Sequence, residues 1–263
     1  MTKPPRSDVI ASANPSPTIA SVAKAAAVLK AFTPAVSVLS VRQVATSTGI
    51  PRSTAHTLCR TLSDVGLLEI GPGGYRLGPL VLELGGQVIE RTGLVRAAEG
   101  ILQRLIRAPE EEVHLGQLTQ GWIVYLSRAA GSRRQASNRV GQRAPAHLTG
   151  CGKAALSWLP VDDVEERIRR CCAEEDLRLP DLVAVTAELD RGRHEGYLVS
   201  NTFQRGRTSV GAAILDAHRQ PAGALSVAGP AGMFTSAVLA GAKASVVEAA
   251  GVITARLVQS SRF

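Results

Sequence analysis

A chain of 263 residues with 45% hydrophobic and 20% charged side chains is long enough for two cores, and its mixed composition excludes a fibrous or wholly disordered protein. Its net charge of +8 is concentrated, since residues 1–77 hold eight Lys/Arg against three acids and no Asp or Glu occurs from Val9 to Ser63. No run of about 20 apolar residues reads as a bilayer span, and Cys59, Cys151, Cys171 and Cys172 form neither CxxC pairs nor a disulfide framework, which suits a reducing cytoplasm.

Residues 1–18 carry prolines at both ends of a polar tract and no apolar signal-peptide core, so a disordered tail is expected. Ser21 is placed to cap a helix bearing Val22, Ala25, Ala26, Leu29 and Phe32. Ser40 and Gln43 have the spacing of a capping box, in which each side chain satisfies the other residue's amide. Val41, Val44 and Ala45 then recur at helical spacing, and Gly49 is suited to a left-handed stop. Pro51 offers a helix-ready φ at a first-turn position. In the helix that follows, Ala55, Leu58, Cys59, Leu62 and Val65 mark a buried stripe, which ends at Gly66. Leu67 to Ile70 and Tyr75 to Leu77 flank Gly71-Pro72-Gly73-Gly74 as a hairpin. Two helices and a Gly-rich ribbon describe a winged helix-turn-helix over residues 19–78.

The stripe leaves Arg52, Ser53, Thr54, His56, Thr57 and Arg60 for the outer face, with Arg42 and Gln43 on the preceding helix and Arg76 on the wing. A surface free of carboxylates and rich in Arg, Ser and Thr suits a polyanion, because each phosphate neutralised releases counterions. Double-stranded DNA is therefore the first partner to expect. Arg52, His56 and Arg60 alone could be any solvated helix face. The proline start, capping box and wing around them carry the DNA reading.

Gly78-Pro79 restarts a helix that runs to Gly93, a linker over residues 79–93. Residues 94–263 form the second domain. An amphipathic helix is expected from Leu94 to Arg107, then a hairpin of Val113 to Gln117 and Ile123 to Leu126 around Gln120-Gly121. After a long polar loop come helices near Gly152 to Trp158, Asp162 to Ala173 and Thr186 to His194. Strands at Tyr197 to Ser200, Ser209 to Leu215 and Ala222 to Ala228 precede a helix from Ser236 to Val258. Antiparallel strands flanked by helices, without βαβ regularity, indicate an α+β domain.

Several of these segments together resemble one family. Ser21-Val22-Ala23-Lys24-Ala25 to Phe32, Ile50-Pro51-Arg52-Ser53-Thr54-Ala55-His56, and Gly66-Leu67-Leu68-Glu69 through Tyr75-Arg76-Leu77-Gly78 are similar to the DNA-binding half of the IclR family of bacterial transcription regulators. Val113-His114-Leu115, Val124-Tyr125-Leu126, His147-Leu148-Thr149-Gly150-Cys151-Gly152-Lys153-Ala154, Glu195-Gly196-Tyr197 and Ala224 through Pro230 resemble its effector-binding domain in order and spacing. The resemblance implies a GAF-like sheet with a ligand pocket, a homodimer or dimer of dimers, and operator binding modulated by a small molecule. It places that pocket at Leu148, Gly150, Cys151 and Gly152, at Ser200, Asn201 and Thr202, and at Ala213 and Ser226.

A second acid-free window, Val113 to Val161, holds Arg128, Arg133, Arg134, Arg139, Arg143 and Lys153, and Arg205 and Arg207 follow the Ser200 segment. Cationic donors suit a carboxylate by charge-assisted hydrogen bonding. A small organic acid held near the Gly152 helix N-terminus is accordingly the expected effector. For Arg133 and Arg134 a solvated loop or subunit contact is an equal reading. No catalytic residue, cofactor or metal is expected. Gly150-Cys151-Gly152 lacks the preceding apolar strand of a nucleophile elbow, and the five histidines have no ligand-spaced partners. The alternative is a small-molecule enzyme or sensor whose winged helix serves protein contact.

Overall fold

In the computed structural model the described residues, 19–133 and 139–260, divide into two compact units whose chain boundary falls between Gln87 and Val88. The expected tail over residues 1–18 lies outside the described residues, as does Arg134.

The first unit contains α1 (Ala20–Lys30), α2 (Val41–Thr48), α3 (Arg52–Asp64) and the ribbon β1 (Leu68–Gly71) and β2 (Gly74–Leu77). Val28, Phe32, Val44, Ile50, Ala55, Cys59, Leu62 and Leu68 close its core. The capping box forms: Gln43 N–H donates to Ser40 Oγ at 3.3 Å, and Ser40 N–H to Gln43 Oε1 at 2.9 Å. Gly49 follows at φ 70°. The ribbon pairs Leu68 with Leu77 and Gly71 with Gly74, and Leu39 bridges Tyr75 beside it.

Three local expectations shift. α1 has Ile19 at its N-cap with no side-chain cap, so Ser21 lies inside the first turn rather than before it. Pro51 itself takes the N-cap of α3. Val65 is 53% exposed, because the helix stops at Asp64 and the chain turns away at Gly66, φ 79°. α4 (Pro79–Thr92) spans the boundary and buries none of its residues.

In the second unit the helix expected over 94–107 is two short ones, α5 (Leu94–Ala97) and α6 (Ile101–Arg104), because Gly100 adopts φ 70° and interrupts the ladder. β3 (Glu112–Thr119) and β4 (Trp122–Ala130) form the hairpin around Gln120-Gly121. β5 (Arg143–Pro145), absent from the sequence expectation, is a three-residue edge too short to show a period. Then come α7 (Gly150–Leu156), α8 (Val161–Glu174), α9 (Leu182–Glu195), β6 (Leu198–Ser200), β7 (Arg207–Leu215), β8 (Pro221–Pro230) and α10 (Ser236–Ser260). α9 begins before Thr186 because the Asp181 carboxylate accepts from the Val183 and Ala184 amides.

The six strands make one antiparallel sheet in the order β5-β4-β3-β8-β7-β6, so the unit is α+β. Strand alternation sends Val113, Leu115, Leu225 and Val227 to one face, where they meet Leu94, Ile101 and the Val246, Ala249, Ile253 and Leu257 side of α10. The opposite face carries Ile123, Tyr125 and Ala224 against α7, α8 and α9. α7 sits on β7 almost backbone to backbone: a Cβ at Gly211 would strike the Gly150 carbonyl.

α10 corrects the reading that no segment could span a bilayer. Its best window has a mean hydropathy of 1.5 and at most two charged residues, so by length and composition this helix is long and apolar enough to cross a membrane. Lys243, Glu248 and Arg256 break its apolar runs, which is why no long uninterrupted apolar stretch shows in the sequence. One side of it is packed on the sheet as described.

Candidate functional site

On the first unit, α3 presents Arg52, Ser53, His56, Thr57 and Arg60 to solvent, with Thr54 half-buried, while α2 exposes Arg42 and Gln43 and the wing exposes Arg76. Local bonding sorts these candidates. Gln43 Oε1 accepts from Ser40, Thr57 Oγ1 donates to the Ser53 carbonyl at 3.2 Å, and Arg76 Nε lies 2.5 Å from Glu69 Oε1 across the ribbon. Among the described residues no carboxylate lies within ion-pair distance of Arg42, Arg52 or Arg60. These three guanidiniums are therefore free to meet phosphates, whereas Arg76 meets them only in competition with Glu69.

In the second unit a cleft with about 400 Å³ of non-atom space opens between the sheet and the N-terminal turn of α7. Gly150, Ser200 and Ser226, all expected there, line it. The other expected pocket residues stand behind or beside it. The Leu148 carbonyl accepts from Ser200 Oγ at 2.6 Å and from Thr202 Oγ1 at 3.1 Å, and Asn201 is exposed. Cys151 Sγ donates to Ser226 Oγ at 3.0 Å from full burial, and burial pushes its thiol up to about 12. A thiol so held is no nucleophile at neutral pH. Ala213 of β7 pairs with Ala224 of β8 and does not line the cleft.

The expected carboxylate position at the α7 N-terminus is already occupied. Gly152 N–H donates to Thr149 Oγ1 at 3.0 Å and Gly150 N–H to Ser209 Oγ at 3.2 Å, while Gly152 is seated against the Ala146 backbone. Two of the cations also move away. Lys153 Nζ binds Glu188 at 2.8 Å beneath α9, and Arg143 stacks 3.9 Å over Trp122 and pairs with Glu175 at 3.1 Å. Arg133 pairs with Glu110 at an exposed site, and Arg205 is exposed.

What the cleft does hold is a charged cluster that the sequence reading passed over. Arg207 Nη2 lies 2.7 Å from Glu112 Oε1, Arg128 Nε 3.4 Å from Glu112 Oε2, and His114 Nε2 3.7 Å from the same oxygen. Glu112 is 2% exposed and His114 5%. Burial holds the His114 imidazole down at about 4, against the pull of Glu112 and helped by Arg139, Arg128 and Arg207. Its Nε2 is buried without a hydrogen-bond partner, as are Nε and Nη2 of Arg128. Arg139 reaches the cleft from the β4–β5 connection, 5.4 Å over the Phe203 ring. The missed signal was a Glu and a His two apart in an otherwise apolar strand, Glu112 standing one residue before the acid-free window. Among the described residues no group of three His, Cys, Asp or Glu side chains could hold a metal ion.

Comparison with known proteins fits both units. Residues 86–255 match the family model described as the bacterial transcriptional regulator IclR C-terminal domain, and residues 21–70 the IclR helix-turn-helix domain. The glycerol operon regulatory protein of Streptomyces coelicolor is 30% identical over 218 residues, covering 80% of this chain and 85% of the relative. The transcriptional repressor IclR of Escherichia coli is 26% identical over 224 residues, 82% of each chain. A crystal structure of an IclR regulator from Silicibacter sp. matches with a TM-score of 0.76 at 24% identity, over 90% of this chain and 96% of that one. An IclR homologue from Microbacterium hydrocarbonoxydans, complexed with 4-hydroxybenzoate, matches at 0.74 and 22% identity, over 90% and 98%. These relatives and matched domains are those of transcriptional regulators, not enzymes.

Proposed function

We propose that this chain, which belongs to the IclR family of bacterial transcriptional regulators, binds a pseudo-palindromic operator as a dimer or dimer of dimers and is switched by a small organic acid held in the cleft beneath α7. The observation that carries the effector half is the cluster at that cleft of Arg207, Arg139 and His114, whose buried Nε2 has no hydrogen-bond partner. Cationic forks favour a carboxylate over a neutral or cationic metabolite. The 4-hydroxybenzoate held by the Microbacterium homologue is itself an organic acid, which supports the reading.

On the DNA side, α3 is the recognition helix, with Arg52, Ser53, Thr54, His56, Thr57 and Arg60 toward the groove and Arg42 on the flanking backbone. A single helix reads too few bases for a genomic site, so two copies sit on half-sites about 34 to 36 Å apart or a multiple of that. Switching is a coupling free energy. The acid binds one arrangement of the effector domains better than another, and α4, which spans the chain boundary, carries the difference to the half-site spacing. All of this takes place in the cytoplasm.

The test is fluorescence anisotropy with the DNA upstream of the chain's own gene, with and without organic acids, alongside thermal-shift screening of acids, neutral metabolites and cations. Acids alone should stabilise the protein and change its operator affinity. Stabilisation confined to cations, or operator binding by a monomer on one asymmetric half-site, would overturn the reading.

A further inference from the structure

Two polar atoms on the sheet side of the cleft are left unsatisfied by the fold. His114 on β3 and Tyr125 on β4 lie side by side there, with ring centroids 4.9 Å apart and planes tilted at 45°. Both residues are 5% exposed. His114 Nε2 is buried with no hydrogen-bond partner, and among the described residues the Tyr125 hydroxyl has none either. The hydroxyls around them are committed: Ser200 donates to the Leu148 carbonyl, Thr149 and Ser209 accept from α7 amides, and Ser226 accepts from the Cys151 thiol.

The surroundings of Nε2 disfavour an ion of either sign. Glu112 Oε2 stands 3.7 Å from it, too far to hydrogen-bond and close enough to repel a second carboxylate. Burial above all, and then the charges of Arg139, Arg128 and Arg207, keep the His114 ring neutral against the pull of Glu112, and a ligand ammonium would meet the same penalties. A hydroxyl carries no charge and both donates and accepts, so it pairs with Nε2 in either tautomer of the neutral ring. Arg139 lies over the Phe203 ring of the same cleft, and among the described residues no carboxylate is within ion-pair distance of it.

Resting on the organic-acid reading above, we infer that the effector is a hydroxy acid, whose carboxylate meets Arg139 and whose hydroxyl meets His114 Nε2 and the Tyr125 hydroxyl. Its carbons lie against Phe203 and Ala228. An acid of the same skeleton without the hydroxyl leaves both atoms unpaired, so His114 and Tyr125 select between the two.

The experiment is isothermal titration and thermal shift on the full chain at neutral pH, with acids paired by skeleton: lactate and propionate, 3-hydroxybutyrate and butyrate, 4-hydroxybenzoate and benzoate. At least one hydroxy acid should bind about tenfold or more tightly than its partner, the worth of one or two hydrogen bonds. His114→Leu, which sacrifices no hydrogen bond of Nε2, should erase that preference by weakening the hydroxy acid alone. Tyr125→Phe keeps the ring and should cut the preference severalfold, and it decides the matter by itself if His114→Leu does not fold. If the acids without a hydroxyl bind as tightly as their partners, or if either folded variant keeps the full preference, the hydroxyl assignment is wrong while the organic-acid reading stands. If no acid of either kind binds, both fail.

Discussion

Arg207 and Glu112 stand at the starts of β7 and β3, with β8 between them, and their side chains meet across it at 2.7 Å. The contact lies largely out of water, since Glu112 is 3% and Arg207 16% exposed at the side chain. A buried pair of this kind contributes little by existing but costs a great deal when broken, because the abandoned charge stays in place. Glu112→Ala should lower unfolding stability by about 3 kcal/mol in urea titrations. The double change Glu112→Ala with Arg207→Met should recover part of that loss. A double variant no more stable than the single one would mean that the pair does not govern the local energetics.

His114 makes stability depend on pH. Its folded value is held at about 4 by burial, below the ordinary 6.5, so between those limits the unfolded chain takes up a proton that the folded chain refuses. Stability should therefore fall as the pH drops from about 6.5 to about 4 and lose nothing further to this residue below that, a change on the order of 3 kcal/mol. The difference curve between wild type and His114→Gln, from chemical denaturation at several pH values, should show this slope. Parallel curves over the interval would remove His114 as its source.

DNA affinity should be limited by the wing as well as by α3. Glu69 competes with phosphate for Arg76, so Glu69→Gln should tighten operator binding and steepen the log-log salt dependence by about 0.9, one more phosphate neutralised. Arg52→Ala and Arg60→Ala should each weaken binding and flatten that slope by a similar amount. Unchanged binding by the Arg52→Ala/Arg60→Ala double variant would refute the assignment of α3 as the recognition helix.

Gly211 tests how tightly α7 is seated. A Cβ at this position meets the Gly150 carbonyl, which is backbone and cannot step aside cheaply. Gly211→Ala should destabilise the second unit by roughly 1 to 3 kcal/mol and disturb the cleft with it. Gly251→Ala, on an exposed stretch of α10 where a Cβ meets nothing, should instead be neutral or gain up to about 1 kcal/mol from helix propensity. Equal effects from the two changes would contradict the close approach.

The elements set by neighbours in the chain were legible from sequence. The Ser40–Gln43 box, the Gly49 stop and the Gly71 to Gly74 ribbon each follow from side chains within a few residues of the backbone they satisfy, and each is present. The α+β class and the family followed from motifs of that local kind. Wherever the deciding partner is remote, the sequence was silent. Nothing near Gly150 shows that Ser209 consumes its amide, because Ser209 arrives from a strand 59 residues away. Nothing near Lys153 announces Glu188, and nothing near Glu112 announces Arg207, 95 residues on. Charge counted along the chain could say that the second domain is cationic. Which cations face the cleft and which are neutralised elsewhere depends on strand order, because Coulomb and hydrogen-bond energies act over a few ångströms of space whatever the separation in sequence.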